Sequence, residues 1–436
     1  MPMNHVSKQY EKSQFFPLRF VNEWLYNTGT QAIAFLFAFF SIVGRWEIGR
    51  LSGIDGDGDL FGKHLLFQPR LWSLVGLVIF TLLFFRVKND NQQSLDDSRS
   101  DDSLPKERNK KIFILQIILW TYLLISSLWM YYSDEQLIRV YDCALLILFV
   151  SCAFMISNMK NRDELIQWIW FYLVFIASVM FVVSLPAVLS GGMTDEGEER
   201  LAVLGGGPNI YVRFVGVCLI NSIYLCFKTR LLRHVFFIPL FVCAIVLTGS
   251  RGGMLAVSVS VALLLYLEGV SIKKMFFLAF GVFCIGIVAM LISPNLMEGV
   301  RDTVERRITQ KTFEDGSLSG REINYYNAYT HGMESPVWGH GMGSWRYYEG
   351  ETYPHNLFLE LFYESGLISV ILCTIMIIMA LTTIKFIHKR KRLRSQYVCY
   401  IVMIFVAAML SGDIFDNRCF FAMLFFSCVP CLETQD

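Results

Sequence analysis

Between Ser319 and Val370 the sequence gathers side chains that can do chemistry. These are Arg321, a tyrosine-rich run, the stretch Pro336-Val-Trp-Gly-His-Gly-Met-Gly-Ser-Trp345, and Tyr353-Pro-His355-Asn356. An unperturbed imidazole titrates at about pH 6.5, which suits it to taking a proton from a hydroxyl group. His355 follows Pro354 and directly precedes an apolar run, so its side chain falls at a water–lipid boundary. A histidine at such a boundary is more often structural than catalytic, and position alone leaves both readings open. Glu360 and Glu364 follow it one helical turn apart, ahead of Ser365-Gly366. His331 and His340 could join His355 around a metal, but positions 331, 340 and 355 match no helical ligand spacing.

Arginines in or beside apolar runs form the second set, because burying a guanidinium is costly unless it is paired or hydrated. Arg139 has Asp142 three residues on, which predicts a salt bridge along one helix face. Arg213 follows the turn Gly205-Gly-Gly-Pro-Asn209 and has no acidic neighbour on its own face. Arg251 lies in Leu247-Thr-Gly-Ser-Arg-Gly-Gly253, a break between two apolar runs. An arginine at a helix N-terminus is disfavoured unless an anion sits between them, which makes Arg251 a candidate anion ligand. Snorkelling to the membrane edge is the other reading. Tyr325, Tyr326 and Tyr329 suit either interfacial anchoring or stacking on sugar rings. Asp55-Gly-Asp57-Gly-Asp59 invites a calcium reading, but Leu60 and Leu66 stand where an EF-hand loop needs Gly and Glu, so a Gly/Asp turn is preferred.

The elements that must position these groups are helices in a membrane. Of 436 residues 54% are hydrophobic and 17% charged, and mean hydropathy is +0.47. This predicts an all-α polytopic protein with twelve spans near 27–44, 70–86, 112–131, 137–157, 165–189, 209–227, 235–249, 252–268, 275–293, 356–384, 397–412 and 418–432. The chain divides into spans one to nine (1–293, with a linker near 87–111), a loop at 294–355, and spans ten to twelve (356–436). Within the loop, residues 295–310 carry apolar positions at helical spacing with Arg301, Arg306 and Arg307 between them, the pattern of an interfacial helix. The first 25 residues lack the apolar core of a signal peptide. Lys and Arg recur in every segment placed on the N-terminal side of the membrane, including Lys160, Lys228, Lys273 and Lys385. This predicts cytoplasmic termini and an outward-facing 294–355 loop. The 11 cysteines form no CxxC pair and read as buried small hydrophobes. A net charge of +1 gives no bulk affinity for nucleic acid.

Three motifs together, Thr248-Gly-Ser-Arg251-Gly, Pro336-x-x-Gly339-x-Gly341-x-Gly343 and Pro354-His355-Asn356, resemble the O-antigen ligase/polymerase superfamily of bacterial envelope glycan assembly. The ligase pattern of that family is His, then Asn, Ser or Gln, nine residues, Gly, two residues, then Gly, Thr or Tyr. His355-Asn356 and Gly366 fit it, and Ser369 departs at the last position. The resemblance implies a metal-independent, cofactor-free, inverting glycosyltransferase of the bacterial inner membrane, working at its periplasmic face. Its donor would be a glycan on undecaprenyl diphosphate, with the bilayer, a flippase and a chain-length regulator as further partners.

A diphosphate leaving group needs no general acid, but its developing charge needs fixed cations. The resemblance gives that role to Arg251 and Arg321, with Arg213 as a third cation, and makes His355 the base. Asn356, Tyr325, Trp345 and Glu364 are the expected substrate contacts, Glu364 or Glu360 orienting the site or facing water. As an O-antigen or exopolysaccharide polymerase, the reading that Tyr-Pro-His-Asn-Leu-Phe-Leu-Glu360 favours, the acceptor is another lipid-linked glycan. As a ligase it is lipid A core, and a related variant glycosylates protein. A transporter fits the span count but leaves the Arg321 and His355 motifs unexplained.

Overall fold

The structure is a computed structural model. It describes residues 16–42, 69–89, 103–130, 134–159, 161–190, 207–229, 233–271, 273–276, 280–281, 284, 287, 294–305, 309, 321–350, 353–390 and 395–426. All regular structure among them is helical. The helices are α1 (Phe16–Ile42), α2 (Pro69–Asn89), α3 (Ser103–Ser126), α4 (Asp134–Ser157), α5 (Arg162–Leu189), α6 (Gly207–Thr229) and α7 (Arg233–Leu247). They continue with α8 (Arg251–Leu267), α9 (Pro294–Thr303), α10 (Arg321–Gly332), α11 (Ser344–Glu349), α12 (Leu357–Arg390), α13 (Ser395–Leu410) and α14 (Arg418–Phe426).

Five helices among the described residues are long and apolar enough to cross a membrane: Pro105–Trp129, Gln136–Ser157, Arg162–Leu189, Gly207–Lys228 and Leu357–Lys385. Shorter apolar helices cover Thr28–Ile42, Leu71–Phe84, Phe237–Leu247, Arg251–Leu267 and Ser395–Leu410. The chain is therefore a polytopic helical membrane protein in which the expected spans differ widely in length. The expected ninth span lies largely outside the described residues, as do the Asp55–Asp59 turn and the acidic residues near 195. The expected linker is shorter than its polarity suggests, because α3 begins at Ser103. Arg108 inside that helix donates to Thr382 Oγ1 at 2.8 Å on α12, so a polar face is helical where it meets a partner.

The α13–α14 hairpin runs through the middle of the bundle. α13 packs on α8 and α6, and α14 packs on α4. Its short second arm is buried from Cys419 to Phe426, which is why that helix is apolar on every side after Arg418. The turn between them is held by Asp413, whose Oδ1 accepts the Asp416 N–H at 2.6 Å and whose carbonyl accepts Asn417 Nδ2 at 2.9 Å. This local cap breaks what would otherwise be one continuous apolar run.

The glycine-marked stretch is sewn onto α12. His340 N–H donates to Tyr363 O at 2.9 Å, Gly341 N–H to Glu364 O at 2.8 Å, and Leu367 N–H to Pro336 O at 2.8 Å. These contacts require two glycines. Gly366 interrupts α12 at φ 71, and a Cβ there would lie 2.1 Å from Val337 O. A Cβ at Gly339 (φ 70) would lie 2.4 Å from Ser365 N. Both the left-handed backbone and the close approach exclude a larger residue. Gly366→Ala is therefore expected to lower the Tm of the purified protein by about 5 °C or more. An unchanged melting curve would contradict this account of the seam.

Candidate functional site

The site is built around the last carbonyls of α13. Asn356 Nδ2 donates to Met409 O at 3.1 Å, Arg321 Nη1 to Leu410 O at 2.8 Å, and Arg213 Nη2 to Ser411 O at 2.8 Å. A helix C-terminus leaves its last carbonyls without partners and carries partial negative charge, so two guanidiniums and an amide are well placed there. Three expected site residues, far apart in sequence, are thus indexed on three consecutive backbone oxygens. A guanidinium has five donors, and Leu410 O takes one of those of Arg321.

Arg251 opens α8 on the same side. Ser250 caps this helix by accepting the Gly253 N–H at 3.2 Å and itself donates to Asn209 Oδ1 at 2.5 Å. A Cβ on Gly252 would lie 3.5 Å from Arg321 Nη1, so Arg321 reaches the first turn of α8, beside Arg251. The tighter neighbour of Gly252 is Leu410, whose Cβ would lie 3.0 Å from an added Cβ, so α8 and α13 pack closely here.

His355 sits at φ 63, the one left-handed non-glycine residue among those described. Such a backbone costs about 1–3 kcal/mol and persists only where its surroundings enforce it. Asn356 supplies the enforcement: its Oδ1 accepts the Phe358 and Leu359 N–H groups at 3.0 and 3.1 Å, capping α12, while its Nδ2 ties that cap to α13. Tyr325 Oη donates to His355 O at 3.5 Å, and the Tyr353 ring stands edge-on to the imidazole at 4.5 Å between centroids.

Burial, and then the positive charge of Arg321, push the His355 pKa down from 6.5 to about 4. The imidazole is therefore neutral across the physiological range. Its Nδ1 is buried and has no hydrogen-bond partner among the described residues. Burial likewise raises Tyr353 to about 12, with Asp416 and Asp413 adding to the shift. Tyr353 stays a neutral phenol.

Other expected residues have different surroundings. Glu364 is buried rather than facing water, and its carboxylate accepts the backbone N–H groups of Gly343 and Trp345. Glu360, also buried, lies 4.0 Å from Arg139. Arg139 reaches Asp413 of the α13–α14 turn at 2.5 Å, a partner from another element that its spacing to Asp142 does not reveal. Trp345 is 1% exposed and packs edge-on against Tyr363, so it is part of a core between α10, α11 and α12 rather than a surface platform. His331 Nδ1 lies 2.5 Å from Glu349 Oε1, and His340 Nε2 lies 2.8 Å from the His331 carbonyl. Each thus has its own local partner. No group of three or more His, Cys, Asp or Glu side chains among the described residues is arranged to hold a metal ion.

The arrangement therefore offers a neutral proton acceptor beside fixed cations, and the segment that carries it matches a known family. Residues 235–374 match the O-antigen ligase family model. The match runs from α7 to the middle of α12 and takes in Arg251, Arg321 and His355. Arg213 and the α13 carbonyls lie outside it. No curated protein matches the chain. The matched segment is thus similar to the O-antigen ligases of envelope polysaccharide assembly.

Asn356 makes a prediction separable from that chemistry. Asn356→Asp keeps the oxygen that caps α12 but loses the donor to Met409 O. Transfer is expected to fall roughly tenfold with Tm little changed, because the base loses its register on α13. Asn356→Ala loses the cap as well and costs about 1 kcal/mol more in stability. Equal activity in both variants and wild type would show that the tie positions nothing.

Proposed function

We propose that the protein transfers a glycan from undecaprenyl diphosphate to a sugar hydroxyl at the periplasmic face of the membrane. In this reading it is a polymerase whose acceptor is a second lipid-linked repeat unit. The carrying observation is the neutral imidazole of His355, with an unpartnered Nδ1, next to Arg321 and the start of α8. His355 takes the acceptor proton as the hydroxyl oxygen attacks the anomeric carbon. The bond from that carbon to the diphosphate oxygen breaks, and the leaving diphosphate collects its charge against Arg321 and Arg251. Attack opposite the leaving group inverts the anomeric centre.

The basic inner loops support cytoplasmic termini and an outward site, and residues 294–355 act as the catalytic loop between two membrane portions. The reaction is read as metal-independent because its electrophilic charge falls on arginines; transfer should persist in excess chelator, and loss restored by a divalent ion would overturn this. The test of the whole reading is reconstitution of the purified protein with lipid-linked repeat unit, with and without lipid A core. A ladder of lengthening lipid-linked glycans without core supports the polymerase. A block transferred only onto core supports the ligase.

A further inference from the structure

The charge pattern predicts that residues 294–355 stand outside the membrane, yet part of this segment runs alongside two spans. Two contacts measure how deep it reaches. Near the basic end of α3, Arg108 Nη1 donates to Thr382 Oγ1 of α12; farther along α3, Tyr122 Oη donates to Trp338 O at 3.2 Å. At 1.5 Å per residue these contacts stand about 21 Å apart on α3. Thr382 and Leu367, whose N–H donates to Pro336 O, stand about 22 Å apart on α12, so the two helices agree. Tyr122 lies about 16 Å past exposed Lys111, and Leu367 about 27 Å from exposed Lys385, against a hydrocarbon core about 30 Å thick. The tip at Val337 and Trp338 is therefore within the apolar thickness, on the His355 side.

This tip presents apolar side chains outward. Trp338 is 59% and Val337 45% exposed. They continue an exposed stripe on α12 made by Leu367, Ile371 and Ile375. Trp129, exposed beside the return limb at Gly341, carries apolar surface past the level of Tyr122. Irregular backbone is tolerated at such depth only where its polar groups are paired inside the protein. Here Gly339 N–H donates to Ser335 O at 2.8 Å, Ser335 Oγ donates to Gly339 O at 3.0 Å, and Met342 N–H donates to Ser126 Oγ at 3.1 Å. Trp338 O has Tyr122. The helix leading into the tip, α10, has two exposed edges. Tyr326, Tyr329 and Met333 lie on one, Thr330 and Glu334 on the other, the pattern of a helix between lipid and water.

We propose that residues 335–341 form a re-entrant wedge whose Val337–Trp338 tip inserts among the acyl chains of the leaflet on the His355 side. The Tyr326, Tyr329 and Met333 edge of α10 lies above it at the headgroups. The exposed surface is continuous with the lipid-facing stripe of α12, and that continuity decides for lipid over a protein partner. In the orientation given under Proposed function this is the outer leaflet. Arg321 begins α10 and the wedge follows its end, so the inserted tip sets the depth of Arg321 against the lipid phosphates. The insertion itself is independent of the transfer reading.

The test uses the full chain in phosphatidylcholine nanodiscs. Trp338→Cys and Glu334→Cys are treated with a charged, membrane-impermeant maleimide. Modification at each position is followed by peptide mass spectrometry, so the native cysteines do not contribute. Trp338→Cys should react roughly tenfold or more slowly than Glu334→Cys, because a charged reagent is excluded from hydrocarbon. The emission of wild type minus that of Trp338→Phe, which keeps an aromatic ring, isolates this residue among nine tryptophans. That difference should be quenched by lipids brominated along their acyl chains and not by iodide in the buffer. Equal labelling rates, or quenching by iodide, would put the tip in water and overturn the proposal. Slow labelling without quenching by brominated lipid would mean that protein covers Trp338, and overturns it as well.

Discussion

His355→Ala should lose transfer by about 10²–10⁴-fold, the range for removing a positioned general base, while insertion into the membrane stays normal. The structure adds a pH signature to this loss. In the free enzyme the imidazole is held down to about pKa 4 by burial and by Arg321, so it is deprotonated well below neutrality. The acid limb of kcat/KM, which reports the free enzyme, should therefore fall near pH 4 rather than near 6.5. A bound diphosphate offsets the charge of Arg321 and makes protonation of the imidazole easier. The limb in kcat, which reports the enzyme–substrate complex, should then lie at higher pH than the limb in kcat/KM. A wild-type acid limb at 6.5 in both parameters, or a His355→Ala variant near wild-type activity, would remove His355 as the base.

How much of this the sequence could reveal depends on where each constraint resides. His355, Asn356 and the break at Arg251 were legible because each sits at a helix start, where proline, a capping side chain and glycine leave local marks. The glycine-marked stretch was legible as a special backbone, though not its partner: Gly339 and Gly366 are required by each other's segments. The scaffold beneath the site was not legible. Arg321, Arg213 and Asn356 are organised by carbonyl oxygens of Met409, Leu410 and Ser411, and a backbone carbonyl has no residue signature. Arg139 and Asp413 pair across 274 positions, a separation at which a nearer acid such as Asp142 always looks the better partner. Trp345 reads as a site residue because it is an aromatic in a polar loop, and Glu364 because it is a charge in an apolar helix. Their burial follows from the fold of the loop onto α12. Hydropathy placed the apolar runs 252–268 and 397–412 close to where α8 and α13 stand, short lengths included, because an apolar run is a local signal.

Arg321→Gln should cost about 10²–10³-fold in kcat, because it removes a preorganised cation from the oxygen on which negative charge develops. The same residue donates to Leu410 O and lowers the pKa of His355, so three effects should appear together in one variant. Donor binding weakens, since the diphosphate loses a charge-assisted partner. The acid limb of the residual kcat/KM moves up from pH 4, since the cation that opposed protonation of the imidazole is gone. The pH shift separates an electrostatic role from a merely structural one, because a loosened loop would lower activity without raising the limb. Arg321→Lys divides the functions further. A lysine keeps the charge, so the limb should stay low, but its single ammonium cannot hold Leu410 O and a diphosphate oxygen with the geometry of a guanidinium fork. Activity of Arg321→Lys should lie between wild type and Arg321→Gln with a wild-type pH limb. A lysine variant as inactive as the glutamine one, with its limb displaced equally, would show that Arg321 acts through the shape of the α13 terminus rather than through its charge.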